Sequence, residues 1–266
     1  MTQTQRRAFL IDALLKEQPR YSHAALPANE EEQKRLLRSL FNRRPPRPAG
    51  REFLAVQDAY LQEEIRRRGI TDFSSLRPIQ PGLYLWQGDI TTLRCDAIVN
   101  AANSRMLGCF CPNHGCIDNA VHTFAGVQLR WACEEMMRRQ GHEEKAGGAK
   151  ATPAYNLPCS YVLHTVGPVV QGRPSEKEEN QLASCYRSCL ELAEKYALKS
   201  VAFCCIATGE YHFPEEPAAK IAIRTVKAYK ARTHSKIEVV FNVFKDADYQ
   251  VYRNLLRSTE KAETKP

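Results

Sequence analysis

The chain has 266 residues, 43% of them hydrophobic and 26% charged, with a formal net charge of +8. That balance excludes a fibrous, disordered or membrane-spanning chain and leaves one large globular domain, or one domain with an appendage. Ten cysteines follow an opening stretch that Asp12, Lys16 and Glu17 interrupt and that lacks the pattern of a secretory leader. Free or metal-bound thiols in a reducing compartment are therefore expected, with the cytoplasm as location and no membrane as partner. The positive balance suits an anionic ligand, but acidic and basic side chains are interspersed. Nucleic acid is not an expected partner, because basic and aromatic residues do not interleave as they do in single-strand binders.

Residues 1–75 predict helices. The first runs from about Gln5 to Glu17, with Phe9, Leu10, Ala13 and Leu14 on one face. Asn29 is a natural N-cap, with Glu30, Glu31 and Glu32 complementing the helix dipole behind it. That second helix uses Leu36, Leu37, Leu40 and Phe41 and stops at the proline-rich run 43–48. A third spans about Glu52 to Arg68, with Leu54, Ala55, Asp58 and Leu61 at helical spacing and Gly69 as its stop. The run Arg66 to Arg68 offers charge to a phosphate, but reads first as a solvated last turn complementing the helix dipole. No catalytic constellation stands out in this region, which reads as a helical cap packed on the rest of the chain.

From Pro81 the pattern changes. Apolar strands are predicted at Leu83–Trp86, Asp96–Val99, Ala151–Tyr155, Tyr161–His164, Val201–Ile206 and Ile237–Phe241. Helices are predicted over about Asp118–Arg139, Lys177–Tyr196, Glu215–Lys230 and Asp246–Arg257. Alternating strands and helices, with near-continuous apolar strands, predict an α/β sheet covered on both faces.

In such sheets ligands bind beyond the strand ends. Three polar loops follow strands here, at 88–91, 100–119 and 207–214. Asp89 can accept from an exocyclic amine or simply cap the turn after it. Asn103 offers a donor and an acceptor, which suits a sugar diol and equally suits a turn. Gly209 lets backbone approach an anion. Phe213 and Phe244 can lie against a ring or belong to the core. His122, His164 and His212 read as core or rim histidines.

The densest chemistry lies in Cys109-Phe-Cys-Pro-Asn-His-Gly-Cys116, three cysteines and a histidine in eight residues. Thiolate and imidazole at such density suit zinc. The spacing Cys-x4-His-x-Cys is too tight for a zinc finger, and no second half-site follows. Three ligands without an evident fourth is the pattern of a site that keeps one position open. Small buried residues around a turn are the alternative.

Gly88-Asp-Ile-Thr91, Asp96-Ala-Ile-Val-Asn-Ala-Ala-Asn103, His164-Thr-Val-Gly-Pro168 and Ala207-Thr-Gly-Glu-Tyr-His-Phe-Pro214 together resemble the ordered signatures of the macrodomain family, over about residues 76–262. The usual macrodomain carries glycines before the helix that opens at Asp118. Here the cysteine-rich run stands in their place, which resembles the zinc-dependent subfamily of microbial protein-ADP-ribose hydrolases. That subfamily also carries an N-terminal helical extension.

The resemblance implies a three-layer α/β/α mixed sheet over 76–266 with a helical extension over 1–75. It implies zinc on Cys109, His114 and Cys116, with Cys111 a neighbour. Asp89 would take the adenine amine, with Ile90 beside it and Phe244 against the ring. Asn103, Ile117, Asp118 and Asn119 would surround the distal ribose. Ala207, Thr208, Gly209, Glu210 and Tyr211 would line the diphosphate and ribose, and Phe213 would lie beneath the distal sugar. The activity implied is zinc-dependent hydrolysis of mono-ADP-ribose from modified proteins, at an O-linkage to acidic side chains, with Asn103 and Asp118 as the catalytic pair. Asp118 is expected to be kept ionised by the helix start. The rival expectation is a reader module that binds ADP-ribose without cleaving it and holds a structural zinc.

Overall fold

The computed structural model describes residues 1–17 and 26–263, with side chains as far as residue 258. Three helices open the chain: α1 (Gln3–Lys16), α2 (Glu30–Arg43) and α3 (Arg51–Arg68). Thr2 closes a capping box with Gln5, and the Asn29 side chain accepts from the Glu31 and Glu32 amides. Both caps satisfy amides that a helix start leaves orphaned. The three helices have a core of their own, in which Leu10, Ile11, Leu14, Leu37, Leu40, Phe41, Tyr60 and Leu61 pack together. The buried face of α3 is Gln57, Tyr60, Leu61 and Ile65, whereas Ala55 is exposed. That face is rotated from the expected one, because α3 packs on α1 on one side and on the body of the molecule on the other.

The body is a seven-stranded sheet. Its strands are β2 (Pro78–Gln80), β3 (Leu83–Gln87), β5 (Ala97–Ala102), β6 (Ala149–Pro153), β7 (Tyr161–Val166), β8 (Ser200–Phe203) and β9 (Glu238–Val243). The order across the sheet is β2-β3-β9-β8-β5-β7-β6. The five inner strands are mutually parallel, and the two edge strands run antiparallel to their neighbours. Two further short strands, β1 (Thr71–Asp72) and β4 (Leu93–Arg94), form a separate parallel pair. These two and β2 were too short to give a sequence period.

Two groups of helices flank the sheet. One holds α6 (Glu176–Lys195), α7 (Glu215–Thr233) and α8 (Asp246–Glu263), packed side by side over the strands. The other holds α4 (Ile117–Ala125) and α5 (Val127–Gln140), on β5 and β6. The sequence pattern predicted one helix over 118–139. Gly126 divides it, with a φ of 99° that an L side chain rarely adopts. The result is the expected three-layer α/β arrangement on a mixed sheet, with the N-terminal helices seated on α4.

The seam between those helices and the body joins apolar contacts, Val127 in the helical core and Ile65 in the main one, to a polar network. Arg130 of α5 is buried and donates to four backbone oxygens, those of Leu107, Phe41, Asn42 and Arg44. Gln57 accepts from the Val127 amide, and Asp58 accepts from Gln128 and Asn156. Among the described residues, no helix is long and apolar enough to cross a membrane.

Candidate functional site

Because β3, β9, β8 and β5 are parallel neighbours, their C-terminal ends share one edge of the sheet, and the loops after them meet there. Asp89 and Ile90 follow β3, Phe244 follows β9, the 207–214 loop follows β8, and Asn103 with the cysteine-rich loop follows β5.

The Asp89 carboxylate caps the turn after β3, accepting from the Thr91 amide at 2.9 Å and the Thr91 hydroxyl at 2.6 Å. Its other oxygen accepts from Arg68 at 2.6 Å. Arg68 also lies 3.6 Å over the Phe124 ring, so the last turn of α3 is docked on the body, not solvated as its sequence predicts. Arg66 and Arg67 stay near their own helix, on Glu63. Ile90 is buried beside Asp89, and Phe244 is 75% exposed and open to a partner.

At the other end, Asn103 and Asp118 are brought together. The Asn103 amide donates to the Gly108 carbonyl at 3.2 Å and to Asp118 Oδ2 at 3.3 Å. Asp118 Oδ1 accepts from Asn100 at 2.8 Å. Burial pushes the Asp118 carboxyl up to about 6, against the opposing influence of Asn100, Arg130 and Asn103. The helix start was expected to hold it low; desolvation outweighs that effect here. Ile117 packs against the main core. Asn119 is fully buried and its side chain is committed to protein: Oδ1 accepts twice from Arg38, and the amide donates to the Cys111 carbonyl.

Behind Asp118 lies a neutral polar wall. Asn100 donates its second amide hydrogen to His164 Nδ1 at 3.2 Å, which leaves His164 Nε2 as donor to the Thr152 hydroxyl at 2.9 Å. His164 is pushed down to about 3 by burial, His122 is depressed by burial and by Arg130 and His164, and the Cys133 thiol is raised by burial. Ligand atoms of His122, Cys133 and His164 lie within 4.8 Å of one another. His164 Nε2 is spent on Thr152, His164 reaches Asp118 through Asn100, and His122 Nε2 lies 3.6 Å from Asp118 Oδ1. Gly108 admits this packing: a Cβ there would stand 2.6 Å from the His122 ring.

Cys109, His114 and Cys116 bring their ligand atoms within 4.8 Å of one another, at intermediate burial. Cys109 Sγ and His114 Nδ1 are 3.7 Å apart. A tetrahedral zinc spaces sulfur and nitrogen ligands by about 3.6 Å, so the donor set fits that ion in type and spacing. His114 Nε2 faces the Glu210 carboxylate at 3.5 Å, as a ligand histidine oriented by a carboxylate does. Cys111 is exposed and outside the group. Cys116 caps α4, and its thiol is pushed up to about 12 by burial; a bound cation reverses that preference.

In the 207–214 loop, Ala207 and His212 have positive φ values of 65° and 55°. The Thr208 hydroxyl donates to the Cys205 carbonyl, Gly209 is exposed, and Tyr211 is half-buried. Phe213 is only 1% exposed and packs into the core under the loop, so its ring supports the loop and presents no surface to a ligand in this conformation.

Sequence reasoning missed Asn100, Arg38 and Arg68. An asparagine inside an apolar strand was a usable signal, since a buried amide needs partners. Arg38 carried none, and Arg68 only the charge of its run, because tertiary packing alone brings them to the site.

The Macro domain model matches residues 99–222. A protein-ADP-ribose hydrolase of Treponema medium is 54% identical over 260 residues, covering 96% of this chain and all of the relative. One from Staphylococcus aureus (strain MSSA476) is 49% identical over 250 residues, covering 93% of this chain and 94% of its own. The crystal structure of a Trypanosoma brucei macrodomain in complex with ADP-ribose superposes with a TM-score of 0.64 at 30% identity, over 82% of this chain and 94% of that one. With these likenesses and the loops that converge at one sheet edge, the chain belongs to the macro domain family.

Proposed function

We propose that this protein is a protein-ADP-ribose hydrolase that removes mono-ADP-ribose from modified proteins at an oxygen linkage on acidic side chains. The observation that carries the reading is the juxtaposition, at one helix start, of Asp118 gripped by Asn100 and Asn103 with the Cys109, His114 and Cys116 group two residues before it. The relatives at 49–54% identity over most of the chain support it by their names.

In this reading residues 76–266 are the macrodomain and residues 1–75 its helical extension, and the cytoplasm is its compartment. Asp89 and Phe244 take the adenine, and the 207–211 backbone lines the diphosphate. Asn103 orients the distal ribose, with Asp118 beside it. Two amide donors fix the Asp118 oxygens, so its carboxylate is aimed before substrate arrives; it can take a proton from the water whose oxygen bonds to the ribose anomeric carbon as the bond to the side-chain oxygen breaks and the protein carboxylate leaves. Zinc on Cys109, His114 and Cys116 would supply a Lewis-acidic positive charge next to the reacting sugar.

The test is single-turnover release of ADP-ribose from a carboxylate-modified protein, with and without a chelator. Release that a chelator abolishes and zinc restores is expected. Tight ADP-ribose binding without release, on several linkage types, would return the protein to a non-catalytic reader.

A further inference from the structure

The cysteine-rich loop is held from outside itself. Few bonds tie residues 109–116 to one another: the His114 amide reaches the Cys111 carbonyl at 3.3 Å, and Asn113 sits at a positive φ of 55°. The firm contacts come from α2. Arg38 donates through Nη2 to the His114 carbonyl at 3.0 Å and to Asn119 Oδ1 at 2.9 Å, and through Nε to the same Asn119 oxygen at 3.2 Å. Asn119 passes this grip back to the loop, through its side-chain amide to the Cys111 carbonyl and its backbone amide to Cys116 Sγ. One turn further along α2, Asn42 accepts from the Asn113 amide at 2.9 Å and donates to the Thr123 hydroxyl at 2.9 Å. The two residues are four apart on one helix face, so a single rigid element spans the loop from 113 to 119.

We propose that Arg38 is a positioning residue for the metal loop, fixing His114 and Cys116 in ligating geometry and so setting the affinity of the site for zinc. This rests on the proposed zinc site of Cys109, His114 and Cys116. By it, the N-terminal helices are a working part of the metal centre as well as a cover. A planar guanidinium is needed because two acceptors in fixed directions must be met at once; an ammonium on a flexible stem meets them as a point charge. Groups that orient ligands from behind typically govern metal affinity by about 10–100-fold.

The experiment is zinc affinity by chelator competition on the full chain, for wild type, Arg38→Ala and Arg38→Lys, with apo melting temperatures alongside. Arg38→Ala should bind zinc about 10–100-fold more weakly, and Arg38→Lys should lose a large part of the same factor. Release of ADP-ribose by Arg38→Ala should be low at limiting zinc and recover with excess zinc, with an apo melting temperature near that of wild type; a large fall in the apo melting temperature would instead assign the weaker zinc binding to general destabilisation and overturn the positioning role. If Arg38→Ala does not fold, Arg38→Lys carries the same test. Variants that bind zinc as tightly as wild type overturn this inference alone. A wild-type chain that binds no zinc overturns the reading beneath it, and this inference with it.

Discussion

Asn100 and Asp118, on β5 and at the start of α4, are joined by a 2.8 Å hydrogen bond, the asparagine fully buried and the aspartate nearly so. The Asn100 amide has two hydrogens and uses both, one on Asp118 and one on His164. Its orientation is therefore set from behind, and it hands that orientation to the carboxylate.

Asn100→Ala should leave Asp118 buried with one donor fewer. A fall in the rate of ADP-ribose release of tenfold or more is expected, with much less change in ADP-ribose affinity. Stability should fall by about 1–3 kcal/mol, the usual effect of orphaning a buried polar group. Single-turnover kinetics paired with calorimetry on the same variant checks both parts; unchanged release would remove Asn100 from the positioning of Asp118.

Arg130→Met should have a large effect on stability and a small direct effect on chemistry. It removes the donor to four carbonyls, three of which close the end of α2, and leaves them buried. A loss of about 3–5 kcal/mol is expected. Denaturant midpoints at constant slope measure it, and a loss under about 1 kcal/mol would show that the carbonyls find other partners.

Asp89→Ala tests the adenine end. A carboxylate accepting from an amine contributes about 1.5–3 kcal/mol, so ADP-ribose affinity should fall about tenfold or more. Arg68→Met should weaken binding in the same direction by a smaller factor, because Asp89 then loses the guanidinium that holds it. Titration calorimetry with ADP-ribose decides, and wild-type affinity in Asp89→Ala would place the adenine elsewhere.

Glu17 gives the expected pH dependence of the helical region. Burial raises its pKa, but hydrogen bonds and charge from Arg44 and Arg47 prevail and hold it below the ordinary glutamate value. A depressed folded value means that Glu17 contributes stability above its unfolded pKa of about 4.3, and that this is lost as pH falls through the lower folded value. Glu17→Gln should therefore lower the melting temperature at neutral pH, and the difference from wild type should shrink on acidification. A difference that stays constant with pH would mean the carboxylate charge is not what stabilises.

Much of the fold is legible in the chain. The strands β5, β7, β8 and β9 are mostly apolar, and Asn29 starts a helix and Gly69 ends one where local chemistry says they should. The loops that meet at the sheet edge are legible for the same reason: polar residues crowd just where apolar runs stop. The one long helix expected over 118–139 fails at Gly126, where apolar spacing continues across a backbone break. What local sequence cannot carry is contact over distance. Arg38 and Asn119 are 81 residues apart, and Arg68 and Asp89 are 21 apart. In sequence each arginine is an ordinary charge on a helix surface. The rise of Asp118 depends on burial from several elements at once, which a helix-start argument by itself cannot weigh.

The order of strands also makes the sheet edge a ruler. From β3, where Asp89 stands, to β5, where Asn103 stands, the sheet takes three inter-strand steps, through β9 and β8. At about 4.8 Å a step this is roughly 14 Å between the two ends of the site. A ligand must have that reach to touch Asp89 and Asp118 together. A mononucleoside held at the first end falls short of the second, so length itself becomes a means of selection, set by hydrogen-bonded backbone and out of reach of any single side-chain replacement.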